Sequence, residues 1–426
     1  MEIKIISTEI IKPSSPTPAH LRTHKFFLPD NFVASDYFPV IYCYSGQSKN
    51  TIKISRHLKT SLSKTLSYFY PLAGQLKDGV STDCNDYGVT FIETEVVVAN
   101  LSEILRKKDN DMLKQLLPLK GNMQAIPTTY HTNVVVQVNY FGCGGIAIST
   151  CFTHSIVDGS ATAYFIKSWA EVARGADDIK NVIVDYSSIY PPYDAITSMK
   201  SLYEQNHFNP TEIVAKNFIF DARKITALKE NIGKGPYLDH PTRLEAIATL
   251  ISGALIKNID KEMDEFTAKQ LVLVIAINLR DKVNPPLPPQ CLGSLVTVAI
   301  AKLPIDNKAI NYNLLAAKFR ESVKNVVDQY RMDRHGGGLV EGLENSIVFN
   351  ISDISKLPFY EADFGWGKPA WVSLVYENHK VASLKSTSDG EGVEALIGLP
   401  KEEMAKFEED AEILFYTQSA VKRAKL

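Results

Sequence analysis

The stretch Thr153-His154-Ser155-Ile156-Val157-Asp158-Gly159 sets a single imidazole where a run of strand-forming residues gives way to a helical pattern. Imidazole has an unperturbed pKa of about 6.5, so at neutral pH it can take a proton from a hydroxyl and hand it to a leaving group. Asp158, four residues on, has two readings. Its carboxylate either orients the ring as the third member of a triad, or it serves the start of the helix, where negative charge is favoured, and forms an ion pair. Taken alone, His-x-x-x-Asp is a short and common spacing that fits a core histidine bonded to backbone better than a catalytic one. A zinc site is disfavoured because no cysteine or histidine stands nearby at ligand spacing, and no metal is expected.

The elements that must position this imidazole are legible from their periodicity. Residues 134–140 and 146–152 are rich in β-branched and aromatic side chains, and Gly142, Gly144 and Gly145 interrupt them, which predicts a hairpin. Beyond the motif, Ala161, Tyr164, Phe165, Ser168, Trp169 and Val172 recur at steps of three and four until Arg174-Gly175, a helix stop. His154 therefore belongs to a strand-to-helix corner. Helical patterns recur at 54–67, 243–256 and 312–330, and 270–277 reads as a buried strand. The mixture predicts an α/β (or α+β) chain with mixed sheets. A chain of 426 residues with 45% apolar residues has material for two cores. Loss of periodicity around Pro191-Pro192 divides it into an N-terminal domain over 1–185, a crossover over 186–212 and a C-terminal domain over 213–426.

Composition excludes several classes of partner. A formal net charge of −2 without a basic run argues against nucleic acid. No apolar run approaches the roughly 20 residues of a membrane span, and Met1-Glu2-Ile3-Lys4 lacks the apolar core of a secretory signal, so no membrane partner and a cytoplasmic location are expected. Cys43, Cys84, Cys143, Cys151 and Cys291 form no CxxC pair, and are expected as reduced core thiols; Cys43, Cys143 and Cys151 each stand among apolar residues. His335-Gly336-Gly337-Gly338 is preceded by no strand and followed by no Gly-Lys-Ser/Thr, so it reads as a flexible loop and not a phosphate cradle. The remaining histidines, His57 among them, are expected to be surface or core residues.

A second motif, Asp363-Phe364-Gly365-Trp366-Gly367-Lys368-Pro369, changes the weight of the first. In this order the pair resembles the plant BAHD acyltransferases, which carry His-x-x-x-Asp-Gly near mid-chain and Asp-Phe-Gly-Trp-Gly nearer the C-terminus. The resemblance spans most of the chain, through Phe69-Tyr70-Pro71-Leu72-Ala73-Gly74, Asn278-Leu279-Arg280, Pro285-Pro286-Leu287-Pro288 and Gly392-Val393-Glu394-Ala395. The opening Pro13-Ser14-Ser15-Pro16-Thr17-Pro18 and the Cys143-Gly144-Gly145 turn bring it nearest to the alkaloid acetyltransferase branch.

The resemblance implies two chloramphenicol-acetyltransferase-like domains with a solvent channel between them, a segment of the second half completing the first sheet, and a monomer. It implies an O-acyltransferase that uses acyl-CoA, preferably acetyl-CoA, as co-substrate and a small-molecule alcohol of plant specialised metabolism, an alkaloid, as acceptor. His154 would be the general base, with no acyl-enzyme and no permanent cofactor. Asp158 would pair with Arg280 to hold the corner, and Asp363, Gly365, Trp366 and Gly367 would be architecture. CoA contacts fall to Thr242, Ser352 and Lys368. A helix starting after Thr242 offers free N–H groups to a phosphate, although such a threonine is also an ordinary cap.

Departures from the family pattern cluster in a few places. Ser352-Asp353-Ile354 stands where the family often has Thr-Ser-Trp, so an indole donor for a developing oxyanion is missing at Ile354. Gln75, Leu396, Gln290 and Ser294 also replace frequent family residues. These departures motivate the alternative of a fold-retaining relative that has a different donor or acceptor, a sugar or terpenoid for example, or that binds a ligand without acylating it.

Overall fold

The computed structural model describes residues 1–26, 37–46, 50–77, 81–118, 131–179, 182–186, 212–259, 270–305, 310–332, 346–375 and 380–419. The 186–212 crossover lies outside these apart from its two end residues, and so does the 335–338 glycine run. The described residues fall into two compact units. One draws on Met1–Leu202, Pro285–Leu295 and Leu357–Tyr376; the other draws on Tyr203–Asn284, Val296–Lys356 and Glu377–Leu426.

The first unit is built on a six-stranded mixed sheet. Its strands run in the order Ile3–Ile11, Val89–Val96, Val134–Phe141, Ile146–Thr153, Tyr37–Tyr44 and Trp371–Leu374. Val89–Val96 is parallel to Val134–Phe141 and every other neighbour is antiparallel. Val134–Phe141 and Ile146–Thr153 are buried at every position, so both faces of this part of the sheet are covered. They form the hairpin that the glycines demand, with Gly144 at φ +85 and its N–H bonded to the Phe141 carbonyl at 2.9 Å. Cys143 sits on this turn and is exposed, contrary to the expectation of a core thiol. Its apolar neighbours are the two strand ends, while Gly142 and Cys143 at the tip of the turn are exposed.

Two helices carry the His154 corner. Thr51–Tyr68 buries Ile54, Leu58, Leu62 and Leu66 along one stripe, and the Asn50 side chain caps it by accepting the Lys53 N–H at 3.0 Å. Gly159–Ala173 packs against it. Trp169, fully buried, donates its indole N–H to the Leu58 carbonyl at 3.2 Å and the Ser61 hydroxyl at 3.0 Å, so one ring locks both helices.

The second unit holds a seven-stranded mixed sheet in the order Val296–Pro304, Gln270–Asn278, Ser346–Asp353, Val381–Ser386, Val393–Pro400, Ile213–Phe220 and Gln418–Ser419. Gln270–Asn278, Ser346–Asp353 and Val381–Ser386 are parallel. The helix Arg243–Lys257 is buried over most of its length. Directly across one strand pair, Lys385 and Glu394 meet at 2.6 Å with side chains 6% and 1% exposed. Breaking a buried pair of this kind by removing one partner typically costs about 3–5 kcal/mol.

A small three-stranded sheet of Thr23–Lys25, Ser81–Asp83 and Gln75–Leu76 belongs to the first unit. Its His24 is buried, and burial pushes the imidazole pKa down to about 4 against the opposing pull of Asp185. Above pH 6.5 this histidine is neutral folded or unfolded and contributes nothing to pH dependence. Between pH 6.5 and 4 the unfolded chain takes up a proton that the folded one refuses, so stability falls with pH, by about 3 kcal/mol in full. His24→Gln is therefore expected to flatten the acid limb of a Tm-against-pH curve over that window.

Candidate active site

Thr153 closes its strand by donating both its N–H, at 3.0 Å, and its hydroxyl, at 3.2 Å, to the Asn133 carbonyl. Asn133 is held in turn by its amide, which donates to the Pro71 carbonyl at 3.0 Å and the Thr82 hydroxyl at 2.9 Å. On this fixed base the chain turns, with the Ile156 N–H reaching back to the Thr153 carbonyl at 3.1 Å. His154 is the first residue of the turn. It is half-buried, and its ring lies 4.8 Å from that of Phe38 at an interplanar angle of 50°. An imidazole that is backed by an apolar ring and still reachable is suited to proton transfer.

Asp158 is the N-cap of the following helix, which starts two residues earlier than the apolar pattern because of this cap. It is 1% exposed. One carboxylate oxygen accepts the Ala161 N–H at 2.8 Å and the other accepts the Leu295 N–H at 3.0 Å, while its own N–H donates to the Gly293 carbonyl at 3.3 Å. Both oxygens are thus engaged by peptide groups, one from its own helix and one from a loop some 137 residues further on. Arg280 belongs to the second unit, 2% exposed, with its guanidinium donating to Asn278 Oδ1 at 3.1 Å.

The Asp363 segment lies at the opposite end of the same helix. Arg174, the C-cap, donates to the Asp363 carbonyl. Fifteen residues of helix, about 22 Å, separate that end from the histidine corner. Asp363 Oδ1 accepts the N–H groups of Gly365 and Gly367, each at 2.8 Å, and those glycines take φ of +100 and +101, which side chains with a Cβ rarely adopt. Phe364 packs against Trp169 at 4.9 Å and stacks with Trp366 at 5.6 Å. His57 Nε2 meets the Phe364 carbonyl at 3.0 Å and so must be the protonated nitrogen, and the Tyr44 hydroxyl donates to the Ala362 carbonyl at 2.7 Å. The sequence placed His57 only as a surface or core residue and gave Tyr44 no role. The signal for His57 was present, because it stands at helical spacing from Ile54 and Ser61 and so beside the buried stripe of its helix, where it is half-buried.

Thr242 and Glu245 form a reciprocal capping box at the start of Arg243–Lys257. Glu245 also grips Arg320 at 2.7 Å. Burial by itself would raise its pKa, but hydrogen bonds from Arg320 and Thr242 outweigh that and hold it below the usual carboxylate range. Two of the four helix-start N–H groups are therefore already satisfied by side chains of the helix itself. Arg243 was also missed. Its guanidinium donates to the Ser355 hydroxyl at 3.1 Å and so ties this helix start to the segment after Ile354. A cation at the positive end of a helix is disfavoured, and this misplacement could have flagged it in the sequence. Ile354 gives its own N–H to the Leu384 carbonyl at 2.8 Å, leaving neither side chain nor peptide as a donor there. Ser352 is half-exposed on its strand, in register with Ser383, and Lys368 is exposed.

Asp363→Ala is expected to cost about 0.5–1.5 kcal/mol, because two hydrogen bonds that hold the loop are lost while water can take up the exposed N–H groups. Lys368→Ala, by contrast, should stay within about 0.5 kcal/mol. Denaturant unfolding of the two variants checks this.

A model of the Transferase family matches residues 1–414 of the chain. The chain is 43% identical to a limonoid 1-O-acetyltransferase of Citrus sinensis over 98% of both proteins. It is 32% identical to a stemmadenine O-acetyltransferase of Catharanthus roseus, covering 96% of this chain and 97% of that one. Among solved structures, vinorine synthase superposes with a TM-score of 0.82 at 29% identity, covering 98% of this chain and 99% of that one. F. sporotrichioides TRI101 complexed with coenzyme A and T-2 gives 0.76 at 15% identity over 93% and 99%, a likeness of fold.

Proposed function

The chain belongs to the Transferase family, the BAHD acyltransferases, and is an acyltransferase; on that premise we propose that it moves an acetyl group from acetyl-CoA to a hydroxyl of a limonoid-type polycyclic alcohol. The geometric support is His154, held at a rigid turn against Phe38 and still partly open. The acceptor class follows the 43% identity to the Citrus limonoid 1-O-acetyltransferase and the 40% identity to a limonoid 21-O-acetyltransferase of Melia azedarach, against 32% for the stemmadenine enzyme. An alkaloid alcohol is the second reading, favoured by the superposition on vinorine synthase.

His154 removes the acceptor's hydroxyl proton as the oxygen attacks the thioester carbonyl. The tetrahedral intermediate collapses by breaking the C–S bond, and the imidazolium returns the proton to the departing CoA thiolate. No acyl-enzyme forms and no permanent cofactor takes part. Ser352, Lys368 and the start of the Arg243–Lys257 helix at Thr242 are the proposed acyl-CoA contacts. Arg243 joins them as the positive charge beside Thr242.

Release of free thiol from acetyl-CoA, followed over a panel of limonoid and alkaloid alcohols, tests the reading. His154→Ala should lower kcat/KM by about 10²–10⁴. Turnover that survives this substitution, or no acetyl transfer to any alcohol, would overturn it; transfer confined to alkaloids would select the second reading. Arg243→Ala should raise KM for acetyl-CoA several-fold while leaving kcat nearly unchanged. The resemblance also assigns Arg280 as the ion-pair partner of Asp158 in a structural role. Full stability in Asp158→Asn, with kcat as low as in His154→Ala, would refute that role.

A further inference from the structure

We infer that Gly293 and Tyr186 are positioning residues for His154, acting through Asp158. The inference rests on His154 being the base. The carboxylate of Asp158 does not choose its own place. Its Oδ2 takes the Leu295 N–H at 3.0 Å and its N–H gives to the Gly293 carbonyl at 3.3 Å, so the 293–295 loop grips the residue from both its side chain and its backbone. That loop is clamped on its far side. Leu292 donates to the Ile183 carbonyl at 2.9 Å, and Cys291, Leu292 and Leu295 are fully buried.

Gly293 is the point of closest approach. Its φ is +134, and a Cβ built on it would run into the Tyr186 hydroxyl, with the ring carbon Cζ only 3.2 Å away. Tyr186 is itself buried, so its ring has little room to retreat. The 183–186 segment thus forms a wall, and only a glycine brings the loop close enough to that wall for both contacts with Asp158. Asp158 caps the helix that begins one residue later, and His154 opens the turn four residues before it. A shift of the loop therefore moves the cap, and a shift of the cap moves the turn on which the imidazole stands. Misplacement of a catalytic group by about 1 Å can cost about a hundredfold in rate.

The consequence is specific. Gly293→Ala should lower kcat by at least about tenfold with KM for acetyl-CoA within about twofold. Tyr186→Phe combined with it removes the colliding oxygen and should recover part of the loss, since the positive φ and the Cζ contact remain. Tyr186→Leu, which takes down the wall without straining the backbone, should lower kcat less and serves if Gly293→Ala does not fold. A readout independent of turnover is the rate at which diethyl pyrocarbonate modifies His154, followed by peptide mass spectrometry. It should differ from wild type in Gly293→Ala and Tyr186→Leu, and move back toward wild type in the double variant. Unchanged kcat and unchanged His154 reactivity in folded Gly293→Ala or Tyr186→Leu would overturn the inference. So would a joint fall of kcat, KM and Tm that Tyr186→Phe does not relieve. If the wild-type protein transfers no acetyl group, the functional reading fails, yet His154 reactivity still decides the positioning role.

Discussion

The corner depends on one carboxylate that is shared between two pieces of chain. Asp158 satisfies an orphan N–H at the start of its own helix with one oxygen and a peptide N–H of the 293–295 loop with the other. Hydrogen bonds to a charged acceptor contribute about 1.5–3 kcal/mol each, more than neutral ones. The imidazole four residues before it needs no direct contact with this aspartate to be governed by it, because the intervening turn is short and its strand end is fixed to Asn133.

The helix behind the corner behaves as a strut with two different fittings. At its N-terminus stands the histidine turn, and at its C-terminus Arg174 grips the Asp363 loop. That loop is wired internally by Asp363 and wedged by Phe364 and Trp366 among Trp169, Tyr44 and His57. The length of the helix keeps that loop away from His154, and the loop fixes the far end of the element on which the histidine turn is built. In the second unit, Ile354 offers no side-chain donor, and its N–H is spent on the Leu384 carbonyl.

Elements were legible where burial has a period. The 54–67, 243–256 and 312–330 patterns became Thr51–Tyr68, Arg243–Lys257 and Tyr312–Met332. The discrepancies sit at ends set by caps and not by burial: the first helix starts at Thr51 because Asn50 caps it, although Ile52 is 75% exposed and breaks the apolar stripe. Cys143 misled because apolar neighbours along a chain are not apolar surroundings in space. Polar residues inside the first sheet were also silent in the sequence. Gln137, Asn139 and Ser149 all donate to the single carbonyl of Leu116, a convergence that no periodicity encodes.

By itself, then, the order of residues determined the strand-to-helix corner, the residue types able to move a proton, and the family to which they point, because β-branched runs, helical spacing and short motifs are local properties of a chain. Tertiary structure alone decided which groups the carboxylate of Asp158 would serve. Leu295 and Gly293 reach it from more than a hundred residues away, and Tyr186 limits how they approach. Such contacts come from the packing of segments with no shared local pattern, so no spacing rule could have joined them.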